Sequence, residues 1–164
     1  MADADHFPGF QSRRFAVDGL SLHAVVGGSG PPLLLLHGAP QSHLMWRAIA
    51  PSMAERFSVV VPDLRGYGLS DKPQAGDYSK RRMAADAVGI MSQLGFERFA
   101  VAGHDRGGRV TRRLAKDHPA RVERAAILDI VPTAHVYANV TAERARAFWH
   151  WFFFIQPAPM PEIS

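Results

Sequence analysis

The stretch Gly103-His104-Asp105-Arg106-Gly107 has the small-x-nucleophile-x-small form of a nucleophile elbow, with aspartate where serine is the usual nucleophile. An apolar run, Phe99-Ala100-Val101-Ala102, precedes it and reads as a strand, and residues 109–116 read as a helix. A sharp strand-to-helix turn needs small neighbours so that backbones can approach, and Gly103 and Gly107 supply them. The aspartate changes the chemistry. A carboxylate attacking an acyl carbon gives only an anhydride. A carboxylate attacking an sp3 carbon that bears a leaving group gives a stable ester, which water then opens at the aspartate's own carbonyl. The stretch therefore points to carbon–halogen or epoxide cleavage rather than to ester or peptide hydrolysis. The competing role for Asp105 is a helix N-cap, a position aspartate favours. A cap accounts for neither the flanking glycines nor the apolar strand.

An arginine beside the nucleophile suits a substrate that carries a carboxylate, because a guanidinium pairs with it bidentately. Arg106 and Arg109 are about one helical turn apart, so both can face one ligand. Their competing role is that of exposed helix arginines, as expected for Arg112 and Arg113. His37, Asp63 and Asp129 each fall just after an apolar run that reads as a strand.

The elements that must position these residues alternate in type. Residues 10–17 and 20–26 read as a hairpin around Asp18-Gly19, a turn pair that tolerates positive φ. Residues 33–36 and 57–61 are continuous apolar runs suited to strands buried on both faces. Residues 46–56 look helical, 63–73 form a loop, and 79–94 have helical spacing with Met83, Ala87, Ile90, Met91 and Leu94 on one face. A helix over 109–118 ends at Pro119, a strand over 125–128 ends at Asp129, and residues 141–154 form an aromatic-rich helix before a tail with Pro157, Pro159 and Pro161. Strands alternating with helices after a hairpin imply an α/β fold with a mostly parallel sheet flanked by helices. Sites on such sheets lie outside the carboxyl ends of the strands, so His37, Asp63, Asp105 and Asp129 are expected to converge at one edge.

Composition narrows the class. The 164 residues are 47% hydrophobic and 21% charged, an ordinary globular balance with enough chain for one core. There is no cysteine, so neither a disulfide framework nor a thiolate metal site. No signal peptide and no apolar run of membrane-spanning length is read, so the expected compartment is the cytoplasm. The net charge of +4 reads as a solvated basic surface. No nucleic-acid-binding motif accompanies it, and neither nucleic acid nor membrane is expected as a partner.

His37-Gly38-Ala39-Pro40 after a strand, the loop Asp63-Leu64-Arg65-Gly66-Tyr67-Gly68-Leu69-Ser70-Asp71-Lys72-Pro73 and the elbow at Asp105 resemble the α/β-hydrolase fold. They are closer still to its aspartate-nucleophile branch of haloalkane dehalogenases and epoxide hydrolases. Gly-His-Asp-Arg-Gly-Gly-Arg at 103–109, Leu128-Asp129-Ile130 and His150-Trp151-Phe152-Phe153 together resemble the fluoroacetate (haloacetate) dehalogenases. The resemblance implies that Asp105 is the nucleophile and that Arg106 and Arg109 clamp the carboxylate of a small haloacid. It gives His150 and Trp151 the departing halide, which imidazole and indole N–H groups can stabilise. It makes Asp129 the carboxylate that orients a histidine base, and the backbone N–H groups of Ala39 and Arg106 the oxyanion hole. His104 is not that base, and His37 holds loop geometry. Trp46, Tyr67 and the Met83 face receive no role.

The same resemblance implies a chain of nearly twice this length. Residues 1–132 are then the N-terminal part of the core and 133–164 the beginning of a helical lid, with the histidine base outside this sequence. No metal or organic cofactor is implied, and relatives suggest a homodimer. The expected reaction is hydrolytic dehalogenation of a 2-haloacid such as fluoroacetate to glycolate and halide. Two rivals stand beside it. An epoxide hydrolase shares the nucleophile but needs two lid tyrosines, and Tyr137 is the only tyrosine after the elbow. A non-catalytic fragment would expose sheet edge and apolar surface.

Overall fold

The computed structural model describes residues 6–153, 155 and 156. Phe154 and the three tail prolines lie outside them. The chain divides into two compact units, Met1–Ile130 and Val131–Ser164.

The first unit opens with strands β1 (Phe10–Val17) and β2 (Leu20–Gly27), antiparallel with Val17 opposite Leu20. Asp18 and Gly19 both adopt positive φ, 51° and 75°, the two-residue turn that matches strand twist. Next come β3 (Pro32–Leu36), a short 3-10 turn over His43–Trp46, helix α1 (Ala50–Ala54) and β4 (Ser58–Pro62). Helix α2 (Lys80–Gln93), β5 (Phe99–His104), α3 (Arg106–Asp117) and β6 (Val122–Leu128) complete the unit. The six strands lie in the order β1-β2-β4-β3-β5-β6. The hairpin is antiparallel to β4, while β4, β3, β5 and β6 run parallel. Their carboxyl ends therefore share one edge.

The apolar runs bury both faces of the sheet, as the period of two dictates. Leu34, Leu36, Val60 and Val101 pack on one side with Met83, Ala87, Ile90 and Met91 of α2 and Val110 and Leu114 of α3. Leu35, Val59 and Val61 point the other way, against Phe7, Val25, Trp46 and Ala50. Each such large side chain contributes roughly 1.5–3 kcal/mol on burial. Ser79 caps α2, its hydroxyl accepting from Arg82 N at 3.2 Å.

Three expectations need correction. The helix over 46–56 is instead a 3-10 turn followed by the five-residue α1. Pro51 explains the break: it lacks an N–H, and its ring clashes with the carbonyl four residues back. Helix α3 starts at Arg106 rather than at 109, immediately after the elbow aspartate. The helix over 141–154 is interrupted. In the second unit, α4 (Thr133–Ala138), α5 (Ala142–Ala147) and α6 (Trp149–Phe153) follow one another. Phe148, at φ −111° and ψ 33°, separates the last two. Thr141 caps α5 by accepting from Arg144 N at 3.2 Å. Tyr137 packs on Trp151 and Phe152 with ring centroids 6.0 and 5.8 Å away. Among the described residues no helix is long and apolar enough to cross a membrane.

Candidate active site

Strand β5 delivers Asp105 at the carboxyl edge of the sheet, and the backbone turns there abruptly, at φ 46° and ψ −112°. Positive φ in a residue with a side chain costs on the order of 1–3 kcal/mol and persists only where surroundings enforce it. The glycines are part of that enforcement. A Cβ on Gly103 would sit 2.3 Å from Gly107 O, and one on Gly107 would sit 2.3 Å from Leu36 O. Asp105 N donates to Leu128 O at 3.1 Å, fastening the elbow to β6.

The carboxylate of Asp105 makes no helix-capping bond. Instead Oδ2 accepts from the Ala39 backbone N–H at 2.9 Å. Asp105 thus stands at the N-cap position of α3 without its side chain serving as the cap. The backbone donor read as part of the oxyanion hole already touches this carboxylate. Gly38 allows the approach, since a Cβ there would lie 2.8 Å from Asp105 Cβ.

Two buried side chains fix the Ala39 loop. His37 donates from Nδ1 to Gly38 O at 2.8 Å and accepts Leu64 N–H on Nε2 at 3.0 Å. Only a neutral ring can accept that N–H, burial lowers the ring's pKa, and the side chain holds the loop, as expected. Asp63 is a hub that the sequence did not reveal. Its carboxylate accepts from His43 N at 2.7 Å, Leu69 N at 2.9 Å, His23 Nδ1 at 3.0 Å and His43 Nδ1 at 2.9 Å. Burial opposes its ionisation, but the bonds from the two histidines and the amides outweigh that and hold it well below the usual carboxylate range. His23, His43 and Asp63 are close enough to hold a metal ion among the described residues. The four donors, however, already occupy a carboxylate's lone pairs, and the trio reads as a hydrogen-bonded hub. Loop 63–73 is tied in turn to α2 by Arg65, which reaches both oxygens of Asp86 at 2.6 Å.

Arg106 and Arg109 occupy the first turn of α3. Arg106 lies over Tyr67, its Cζ 5.6 Å from the ring centroid. Burial raises the Tyr67 pKa, with Arg106 opposing and Asp105 adding to the rise. Lys80, the first residue of α2, feels the charges of the same residues. Burial, then the charges of Arg106 and Arg109, lower it to about 8, while Asp105 opposes. Tyr67 and Lys80 were missed in the sequence because nothing local marks them; only the fold brings them to the elbow.

Asp129 directly follows β6, with φ 47°. Its side chain is 90% exposed and lies 3.6 Å from His104 Nε2. His150 and Trp151 stand in α6 of the second unit, both partly exposed. Tyr137 Oη donates to Trp151 O at 3.2 Å. The structure thus brings Ala39, Asp105, Arg106 and Arg109 to one sheet edge with Asp129 at the neighbouring strand end, and sets the pair expected at the halide in a separate unit.

One family model, the alpha/beta hydrolase fold, matches residues 31–159 of this chain. The chain belongs to the alpha/beta hydrolase fold family. Within that family it is 51% identical to the fluoroacetate dehalogenase of Burkholderia sp, over 95% of this chain and 53% of that protein. It is 48% identical to the soluble epoxide hydrolase of Corynebacterium sp. (strain C12), over 71% of this chain and 40% of that one. The crystal structure of ALR0039 from Nostoc sp PCC 7120 superposes with a TM-score of 0.90 at 51% identity, covering 94% of this hydrolase-fold chain and 54% of that one. The chain spans about half the length of the relatives it matches.

Proposed function

We propose that this chain carries the first-step machinery for hydrolytic dehalogenation of short 2-haloacids, fluoroacetate among them. The observation that carries the reading is the Asp105 carboxylate, turned away from its own helix onto Ala39 N–H, beside two arginines in one helical turn. In this reading Oδ1 attacks the carbon bearing the halogen. The carbon–halogen bond breaks, and halide leaves with the electron pair. Arg106 and Arg109 hold the substrate carboxylate, and Lys80 adds positive charge that favours an anion. Asp105 becomes an ester whose carbonyl oxygen is the Oδ2 already on Ala39 N–H.

Water then attacks that carbonyl carbon. Negative charge develops on Oδ2, where the amides of Ala39 and Arg106 stabilise it. Glycolate leaves and the carboxylate returns. The proton from water goes to a histidine that the resemblance places outside this sequence, oriented by Asp129. His150 and Trp151 are proposed as donors to the halide. The 51% identity to a fluoroacetate dehalogenase supports this assignment.

A second reading, epoxide hydrolysis, is favoured by the 48% identity to the Corynebacterium enzyme. Both readings share Asp105, and dependence on a substrate carboxylate separates them. The test is incubation of folded protein, verified by circular dichroism, with chloroacetate, followed by intact mass and peptide mapping. The expected outcome is a carboxymethyl ester on the Asp105 peptide, or released chloride with glycolate. A folded sample that stays unmodified and releases no halide overturns the dehalogenase reading. Labelling by styrene oxide and not by chloroacetate assigns the second.

A further inference from the structure

Arg106 is held in an uncommon way. Among the described residues its Nε is buried without a hydrogen-bond partner, and no carboxylate forms an ion pair with it. What it has is the face of Tyr67, 5.6 Å from Cζ to the ring centroid. A cation over an aromatic face is attracted by the ring quadrupole, and more so when water is excluded. The ring keeps the guanidinium in place without neutralising it. An acid in the same place would hold the side chain equally well but cancel the charge that an anionic substrate needs.

Tyr67 is itself fixed from several sides. The His37 ring meets it edge-on at 5.2 Å and 68°. Its N–H donates to Leu64 O at 2.9 Å, and its carbonyl accepts from Ser70 N at 3.0 Å. The next residue, Gly68, has φ 48°, and a Cβ there would lie 2.3 Å from the Asp63 carboxylate. The ring is therefore set by the same loop network that fixes Ala39.

We propose that Tyr67 is the positioning residue that gives this site its preference for a carboxylate substrate, by holding Arg106 aligned and unneutralised through the face of its ring. The proposal rests on the dehalogenase reading for its substrate, and the role is assigned to the ring rather than to the hydroxyl.

The test compares wild type with Tyr67→Leu and Tyr67→Phe, using chloroacetate and the neutral chloroacetamide as probes. The readout is the rate of labelling at the Asp105 peptide. The chain contains no cysteine, so thiol alkylation does not compete. Tyr67→Leu is expected to slow labelling by chloroacetate about tenfold, the size of a partly desolvated cation–aromatic contact, and to leave chloroacetamide labelling unchanged. Tyr67→Phe is expected to restore the chloroacetate rate. Equal loss in Phe and Leu assigns the role to the hydroxyl and overturns the proposal. Loss with both probes overturns it in favour of general disruption, and no loss in Leu overturns it outright.

A second arm is independent of reactivity. The Arg106 Nε–H signal, assigned with Arg106→Lys, is followed by 15N NMR during titration with acetate. A ring-shifted signal that acetate perturbs in wild type and Tyr67→Phe but not in Tyr67→Leu supports the positioning role. An unshifted wild-type signal, or one that Tyr67→Leu leaves in place, overturns it. If wild type is labelled by neither probe, the dehalogenase reading fails, and this arm alone decides the role of Tyr67.

Discussion

Asp63 shows how one buried residue sets the conditions for another. It never touches Asp105 among the bonds described, yet it anchors both loops around it: His43 after the Ala39 turn and Leu69 after Tyr67. Removing the charge while keeping the shape, as in Asp63→Asn, places an amide N–H group against donors. Leaving buried donors without their acceptor in this way costs roughly 3 kcal/mol, and urea unfolding followed by circular dichroism should show that loss. Its pH dependence has a definite sign. The folded Asp63 pKa lies below its ordinary value of 3.8, so its contribution is complete above that value and declines as pH falls below it. The folded His37 pKa also lies below its ordinary 6.5. The unfolded chain therefore takes up a proton first, and stability starts to fall as pH drops below that value. The expected profile is a plateau at neutral pH, a shallow decline on the acid side of 6.5, and a steeper one below the ordinary carboxylate value. Asp63→Asn should remove the acid limb more than the shallow one.

At the scale of elements, the elbow depends on close approach of three backbones. Gly107 is where α3 passes over the end of β3, and a methyl there meets Leu36 O at 2.3 Å and His37 O at 2.6 Å. Backbone cannot step aside as a flexible side chain can. Gly107→Ala is therefore expected to destabilise the unit by about 1–3 kcal/mol and to abolish labelling of Asp105 in whatever folded fraction remains. Retention of full labelling with unchanged stability would show that the close approach is not required. The same element explains what was legible in the sequence. Two glycines around an aspartate after an apolar run announce a strained turn, because few other arrangements use those residues together. The strands of the parallel sheet were equally plain, since Leu33 to Leu36 and Val59 to Val61 are apolar without alternation. The 3-10 turn at His43 was not legible. Residues 46–56 look helical in the sequence, and Pro51 breaks that helix. Nor were the Asp63 contacts, whose histidines are 20 and 40 residues away in the chain. The role proposed for Tyr67 is also a matter of tertiary contact: its ring matters only because α3 carries Arg106 over it.

At the scale of the molecule, β6 is the least protected element of the sheet. It stands last in the strand order, and six of its seven residues are exposed. Ile127 and Leu128 remain 46% and 42% exposed. An edge strand presents a row of unpaired N–H and C=O groups, which is a template for pairing with another chain. Natural edges are blunted by lysine, proline or bulges, and the run Ala125-Ala126-Ile127-Leu128 carries none of the first two. The net charge of +4 opposes association, but that repulsion is screened beyond roughly 10 Å at moderate salt, whereas strand pairing acts at contact. The chain alone is therefore expected to associate in a concentration-dependent way that strengthens with added salt. Ala126→Lys tests the cause, because Ala126 is exposed and a lysine there places charge on the edge without entering the elbow. Sedimentation velocity over a concentration series should show the wild type shifting to larger species and Ala126→Lys staying monomeric. Association that persists unchanged in Ala126→Lys would place the contact elsewhere than on β6. A wild type that stays monomeric at all concentrations and salts would show that this edge is already covered.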